Sequence, residues 1–465
     1  MELWISICSF INDLRPAFSR SITFHWFFVV LTGIIARKDM RGVTSIVRAL
    51  GLKPLYYDRL LDFFHSSSVN HLQLAQLWLK LIISLLGPLL MKYKNRYIIL
   101  GDGIKSPKSG KKMPAVKKLF QQSESNTKPQ YIFGHSCQSI AIVGMSMLND
   151  FFAIPLVCRI HEGLVFSNRT KVTLLDKMML MIKEVVCQYP HYFIADAYYA
   201  SKGVLKHLGE NHLITRVRSN AIGYRDPKVS TVKKRGRKAI FGEKVALNTL
   251  FKDTDFISVE SPVYDEKNVT IRYKCIDLIW RQAVRKVRFV LVIHPKRGSI
   301  ILMTTDLELN AVDIIKLYGL RFKIEVSYKQ AINTIGTFTY HFWMAEMTNR
   351  KNKSGDQYLH RKSEMYREHV KRKMRAYECF LLTGCIAQGL LQILSLKYSK
   401  IIWKNFGSWL RTMHVDRAPS ELVVSTAMKN SLPEFLKDSL KNNSLINFIL
   451  PKIDRDRKEG LQMAA

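Results

Sequence analysis

Acidic side chains are scarce in this chain: 37 Asp and Glu stand against 72 Lys and Arg in 465 residues, giving a formal charge of +35 and a pI near 9.9. A globular chain this cationic repels itself unless it meets a polyanion. Nucleic acid is therefore the first partner to consider, and an anionic membrane surface the second. Cysteine is sparse and unpatterned. Seven cysteines, at 8, 137, 158, 187, 275, 379 and 385, are odd in number and contain no CxxC pair, which argues against a disulfide framework or a structural zinc and fits a reducing cytosol.

Apolar runs are few, and two of them need a membrane check. Phe24 to Ala36 is too short to span a bilayer, and Cys379 to Leu396 carries Thr383, Gln388 and Gln392, so a buried bundle helix is expected there and no membrane partner. The opening MELWISICSFINDLRP has neither a basic n-region nor a small-residue cleavage site, so no export signal is expected. Ser109-Gly110-Lys111 suggests a phosphate loop, but Lys105 occupies the position five before Gly110 and the Walker spacing fails. No internal repeat is evident.

What is present centres on NAVDIIKLYGLRFKIEVSYKQAINTIG, residues 310–336. Asn310 can cap its start, Asp313 sits three residues on, and Gly336 offers a stop, so one long helix is predicted. Leu317, Leu320, Ile324, Tyr328, Ala331 and Ile335 fall on one apolar stripe. At about 100° per residue, Tyr318, Arg321, Glu325 and Lys329 lie within an arc of roughly 80° beside it. Two readings fit that face: a solvated strip with an i,i+4 pair, or a metal-binding carboxylate flanked by phosphate-binding groups, which needs partner acids elsewhere.

The rest of the chain supplies them. Residues 1–95 read as a helical N-terminal domain, in which VTSIVRALGLKPLYYDRLLDFF is either a DNA-reading helix-turn-helix or an ordinary helical hairpin. Arg96 to Leu100 is a short apolar strand delivering Asp102 at its mouth, followed by a basic, turn-rich loop. Strands at Ser139–Met147 and Phe151–Ile160, a helix over 171–187, a strand at Tyr192–Ala195 ending in Asp196, a helix at Ser201–Leu208 and a strand at Leu213–Arg218 follow. This order over 96–220 is that of the first part of a ribonuclease H-like α/β core. Residues 221–300 form a β-rich insertion, 301–345 hold the helix with the third acid, and 346–465 form a helical C-terminal region whose stretch 349–375 is charged and loop-like.

Two carboxylates at strand ends and a third on a facing helix meet the needs of a two-magnesium phosphoryl-transfer site, since hard cations take oxygen ligands. Tyr318-Gly319-Leu320-Arg321-Phe322-Lys323-Ile324-Glu325, with ILGDGIK, FIADAYYAS and Tyr340 to Met344, resembles the tyrosine-arginine-glutamate-lysine signature of bacterial insertion-sequence transposases of the DDE type. The resemblance covers about 96–345. It implies that Asp102, Asp196 and Glu325 are a catalytic triad holding two Mg2+ ions, replaceable by Mn2+. It implies also that Tyr318 and Arg321 contact phosphates and that Trp280 stacks on an expelled base or packs in the core. One departure stands out: the family's lysine, seven residues after the glutamate, is Ile332 here, and Lys329 lies on the same face.

The function so implied is DNA transposition: binding the element's terminal inverted repeats, cutting, and joining to target DNA, as a dimer on DNA in the bacterial cytoplasm beside the nucleoid. Lys105, Lys111, Lys112, Arg235 and Arg237 lie in basic segments, which with 351–375 would hold the DNA backbone. The alternatives are a ribonuclease H-like nuclease that does not join, and a catalytically idle DNA-binding protein.

Overall fold

The structure is a computed structural model and describes residues 2–121, 129–169, 172–186, 188–227, 239–264, 266–438 and 444–457. Five helices open the chain: α1 (Glu2–Asn12), α2 (Ser21–Ala36), α3 (Gly42–Ala49), α4 (Tyr56–His65) and α5 (His71–Leu86). Strands β1 (Lys92–Tyr93), β2 (Arg96–Pro107), β3 (Lys117–Phe120), β4 (Tyr131–Met145), β5 (Phe151–Ile160) and β6 (Leu164–Val165) follow, then α6 (Leu174–Val186), β7 (His191–Ala195), α7 (Lys202–Lys206) and β8 (His212–Val217). The next stretch is all strand: β9 (Ile222–Tyr224), β10 (Lys244–Ala246), β11 (Ile257–Glu260), β12 (Thr270–Trp280), β13 (Arg285–His294) and β14 (Gly298–Thr304). Helices α8 (Ala311–Gly319) and α9 (Phe322–Gln330), the short strand β15 (Gln357–Tyr358), and helices α10 (Glu364–Phe406), α11 (Glu421–Asp438) and α12 (Ser444–Ile449) complete it.

One large mixed sheet runs β10-β9-β12-β13-β14-β8-β7-β2-β4-β3, with β5 also paired to β4. Strands β2, β7 and β8 are parallel neighbours, whereas β2 to β4 and β4 to β5 are antiparallel. Side chains alternate across these strands. Ile98, Leu100, Ile194 and Ile214 face α8 and α9 through Ile314, Leu317 and Ile324, while Ile99, Phe193 and Leu213 share the opposite core with Met178 and Ile182 of α6. Each such side chain contributes about 1.5–3 kcal/mol by leaving water.

The helix over 364–406 is the hub of the helical layers. Its apolar window is 94 % buried inside the protein, and the buried glutamines within it are engaged. Gln388 donates to the carbonyl and hydroxyl of Ser327 in α9, each at 3.0 Å, and Gln392 donates to Ala153 O and Glu421 Oε1. Trp78 of α5 lies so close to Gly389 that a Cβ there would run into its ring. By length and composition His71–Leu89 could also cross a membrane.

Several expectations need correction. The helix predicted over 310–336 is two helices: at Leu320 and Arg321 the backbone bonds tighten to i→i+3, onto Leu317 O and Tyr318 O, and residues 331–335 widen into a π-turn. Gly336 does end it, at φ +70°, and buried Arg37 reaches from the N-terminal helices to bond the Ile335 and Gly336 carbonyls. Asp102 is not at a strand mouth. Strand β2 continues to Pro107 because its other edge stays paired with β4 as far as Pro107↔Gly134. The basic loop after it is not simply solvated: Met113, Ala115 and Val116 are fully buried, and Lys108 is 5 % exposed, its ammonium over the Tyr340 ring. Residues 364–375, expected as loop, are the first turns of α10. The possible helix-turn-helix presents Asp58 and Asp62 on the exposed side of α4, and its turn is covered by the C-terminal chain, with Lys53 N bonded to Lys452 O.

Candidate active site

The register of the sheet explains why two distant aspartates meet. Leu100 pairs in parallel with Ile194, so two residues further along each strand Asp102 and Asp196 come level, beyond the last paired residues of β2 and β7. Asp196 leaves its strand as the cap of a 3-10 turn, its Oδ1 accepting from Tyr198 N–H at 3.0 Å, and its carbonyl accepts from the Thr215 hydroxyl at 2.7 Å. Asp102 Oδ1 accepts from Gly103 N–H at 2.7 Å. Glycine at 101 has a local reason, because a Cβ there would lie 2.5 Å from the Phe193 ring.

The tightening at Leu320–Arg321 sets the third element. Arg321 Nη2 donates to Glu325 Oε1 at 2.5 Å, one helical turn on, and Nη1 stands 3.4 Å from Asp102 Oδ2. A second tie lies beneath: the Tyr328 hydroxyl, in α9, donates to Asp102 O at 2.9 Å and meets Ser139 Oγ at 2.8 Å. Ser139 is itself the sheet partner of Asp102. The helix carrying Glu325 is thus fastened to the strand carrying Asp102 by a guanidinium above and a phenol below.

The electrostatics are those of crowded acids. Burial, reinforced by Asp196 and Glu325 and opposed by Gly103 N–H and Arg321, pushes Asp102 up to about 6. Asp196 is likewise raised, first by burial and then by Glu325, against Tyr198 N–H and Arg321. Arg321 is held above its ordinary value, burial being outweighed by Glu325, Tyr318 and Asp102. Below them Gln138 donates to the buried Tyr199 hydroxyl at 2.9 Å and bonds His161 at 2.6 Å. Burial and the Asp102 charge raise Tyr199 strongly.

Of the residues singled out from sequence, Asp102, Asp196, Glu325, Arg321 and Tyr318 come together. Tyr318 is half-buried and lines a cavity of about 310 Å³ with Arg216, Tyr264 and Arg321. Lys329 is exposed on α9, and Ile332 is 48 % exposed in the π-turn. Lys105 and Lys111 are exposed, Lys105 donating to Phe120 O, while Lys112 donates to Ala345 O. Trp280 is 5 % exposed at the end of β12, its ring packed into the core. Arg235 and Arg237 lie outside the described residues. Sequence reasoning misses Tyr328, Ser139, Gln138 and Tyr199 as members of this site. Tyr328 falls on the apolar stripe, and only the polar tip of that one aromatic among aliphatics hints at a buried bond.

Among the described residues no three His, Cys, Asp or Glu close to metal-binding distance, since Arg321 stands between two of the acids. The donor set still fits a hard divalent ion. Its three acids offer carboxylate oxygens, two of them raised in the company of like charge, against a guanidinium that already serves as counter-cation.

These features define a mixed α/β protein with helical N- and C-terminal regions and a partly buried carboxylate cluster at the edge of a parallel strand pair. A family model described as DDE superfamily endonuclease matches residues 13–285. That is more than half of the chain, which therefore belongs to this family: it is a transposase-like nuclease that acts on DNA, in a group that generally uses divalent metal ions. No curated protein matches the chain. The matched residues include Asp102 and Asp196 but end before Glu325.

Proposed function

We propose that the chain is a DNA transposase with a ribonuclease H-like core, and that Asp102, Asp196 and Glu325 are its catalytic, metal-holding acids. The observation that carries this reading is the convergence of three acids from β2, the end of β7 and α9 upon one arginine. Strand order supports the core, because β5-β4-β2-β7-β8 has three antiparallel-linked strands and then two parallel ones, with the β-rich segment 222–304 joined to its edge.

Two Mg2+ ions, or Mn2+ in their place, would be held by Asp102, Asp196 and Glu325 and would supply charge stabilisation for in-line displacement at phosphorus. The chain's own groups do the rest. Arg321 and Tyr318 flank the acids and offer donors to phosphate oxygens. Exposed Lys329 extends that face in place of the lysine absent at 332. Burial of Asp102 and Asp196 lowers the local dielectric, so each of these charges acts more strongly than in water. The DNA would be the terminal inverted repeats of the protein's own element, cut and then joined to a target by a dimer on DNA.

The test uses DNA spanning both flanks of the gene with the purified protein and magnesium, alongside Glu325→Gln. Cutting at both flanks and joining to target, lost in the variant and in chelator, is expected. Cutting without joining would favour a simple nuclease. Binding without cutting by the unaltered protein would refute the proposal in favour of an idle DNA-binder.

A further inference from the structure

A cavity of about 1030 Å³ opens between α2, α4 and the first turns of α10, and none of its lining residues belongs to the acid cluster. Arg20, Arg59, Lys371, Arg372, Arg375 and Lys452 line it, against two carboxylates, Asp62 and Glu368. Both carboxylates are matched within the groove, Asp62 by Arg59 at 3.7 Å and Glu368 by Lys371 at 2.6 Å. Arg375 is engaged in building the wall, donating to the carbonyls of Ser66, Ser67 and Val69. Among the described residues Arg20 and Arg372 are exposed and have no carboxylate partner, and Lys452 donates to one carbonyl and lies over the Phe448 ring at 3.5 Å and, further off, those of Trp26 and Tyr56. The floor is aromatic, with Trp26 packed on Tyr56 and edge-on to Phe448, while Thr23, Ser66 and Ser67 add neutral hydroxyls.

Unmatched cations on facing walls, hydroxyls between them and rings below make a surface that grips a polyanion along its length. We infer that this groove binds the sugar-phosphate backbone of DNA flanking the site of cutting, through Arg20, Arg372 and Lys452. The inference rests on the DNA-acting reading above, but it concerns a surface built jointly by the N-terminal helices and the start of α10, separate from the acids. An acidic protein segment would meet the same cations. The chain acts on DNA, and that decides between the two.

The test measures binding of a random-sequence duplex of about 30 base pairs, in chelator, across a range of NaCl. The variants are Arg20→Gln/Arg372→Gln and, as a charge-matched control on the exposed faces of α5 and α6, Lys80→Gln/Lys183→Gln. Each lost phosphate contact should reduce the slope of log K against log salt by about 0.9, so the groove variant should lose about two slope units and tens-fold in affinity near 0.1 M salt. The control should lose little, and Arg20→Lys/Arg372→Lys should restore binding. Equal losses in both double variants, or none in the groove variant, would overturn the inference while leaving the transposase reading intact. Tight binding that needs the groove, with no cutting in magnesium, would leave the groove standing and refute the other.

Discussion

Replacing Asp102 by Asn should stabilise the metal-free protein at neutral pH while abolishing its cutting. The unfolded carboxyl titrates near 3.8 and the folded one near 6, so the folded state holds the proton more tightly. The stabilisation that follows is fully present below the unfolded value and is lost as pH rises through the folded one. Above that window the ionised, buried Asp102 costs about 3 kcal/mol, at 1.36 kcal/mol per unit. That figure is net of the contact with Arg321 at 3.4 Å, between side chains 21 % and 18 % exposed, whose charge already opposes the rise. The Asp102→Asn variant should therefore gain about 3 kcal/mol, which for a chain of this length raises Tm by about 3 °C. The assay is thermal unfolding of both proteins in chelator at about pH 8 and about pH 4, with the advantage of the variant falling to about 0.5 kcal/mol at the lower value. A variant less stable at the higher pH, or equally advantaged at both, would refute the reasoning that Asp102 is held against its own preference.

Other perturbations address the supports. Tyr328→Phe deletes the hydroxyl shared by Asp102 O and Ser139 Oγ and should cost about 1–3 kcal/mol in denaturant unfolding, with cutting reduced more than DNA affinity. Arg321→Lys keeps the charge but cannot reach both carboxylates at once, so the cutting rate should fall by about 10²-fold with duplex affinity little changed. Gly389→Ala places a methyl against the Trp78 ring and should destabilise by about 1–3 kcal/mol, read as a lowered unfolding midpoint. Ile332→Lys, at an exposed site, should leave stability within about 0.5 kcal/mol and steepen the salt dependence of DNA binding by about one unit.

Much of the fold is legible because its elements carry period-two or period-3.6 patterns. Strand β5 has the bounds its pattern predicts, and the run ending at Asp196 is short, apolar and bounded. What stays hidden follows from long-range pairing. Nothing local tells that β2 runs on past Gly103, since that stretch is held by its edge with β4 and not by its own polar residues. The stripe of 310–336 is continuous, so the tightening at Arg321 does not show, although it is what turns the guanidinium toward Asp102. The first turns of α10 read as loop because between Ser363 and Arg375 only Val370 is fully buried, leaving little amphipathic signal. Asp196 can be named from its strand end and Glu325 from its helix face, while Asp102 lies inside β2 and not at the strand mouth expected for it. The phenol, serine and glutamine network beneath them cannot, because hydrogen bonds across a core leave no periodicity.

The most direct test of the central claim is Mn2+ binding, followed by electron paramagnetic resonance in the unaltered chain and in Asp102→Asn, Asp196→Asn and Glu325→Gln. If the three acids together hold the ions, each substitution alone should weaken binding by about tenfold or more. Equal binding by all four proteins would contradict it.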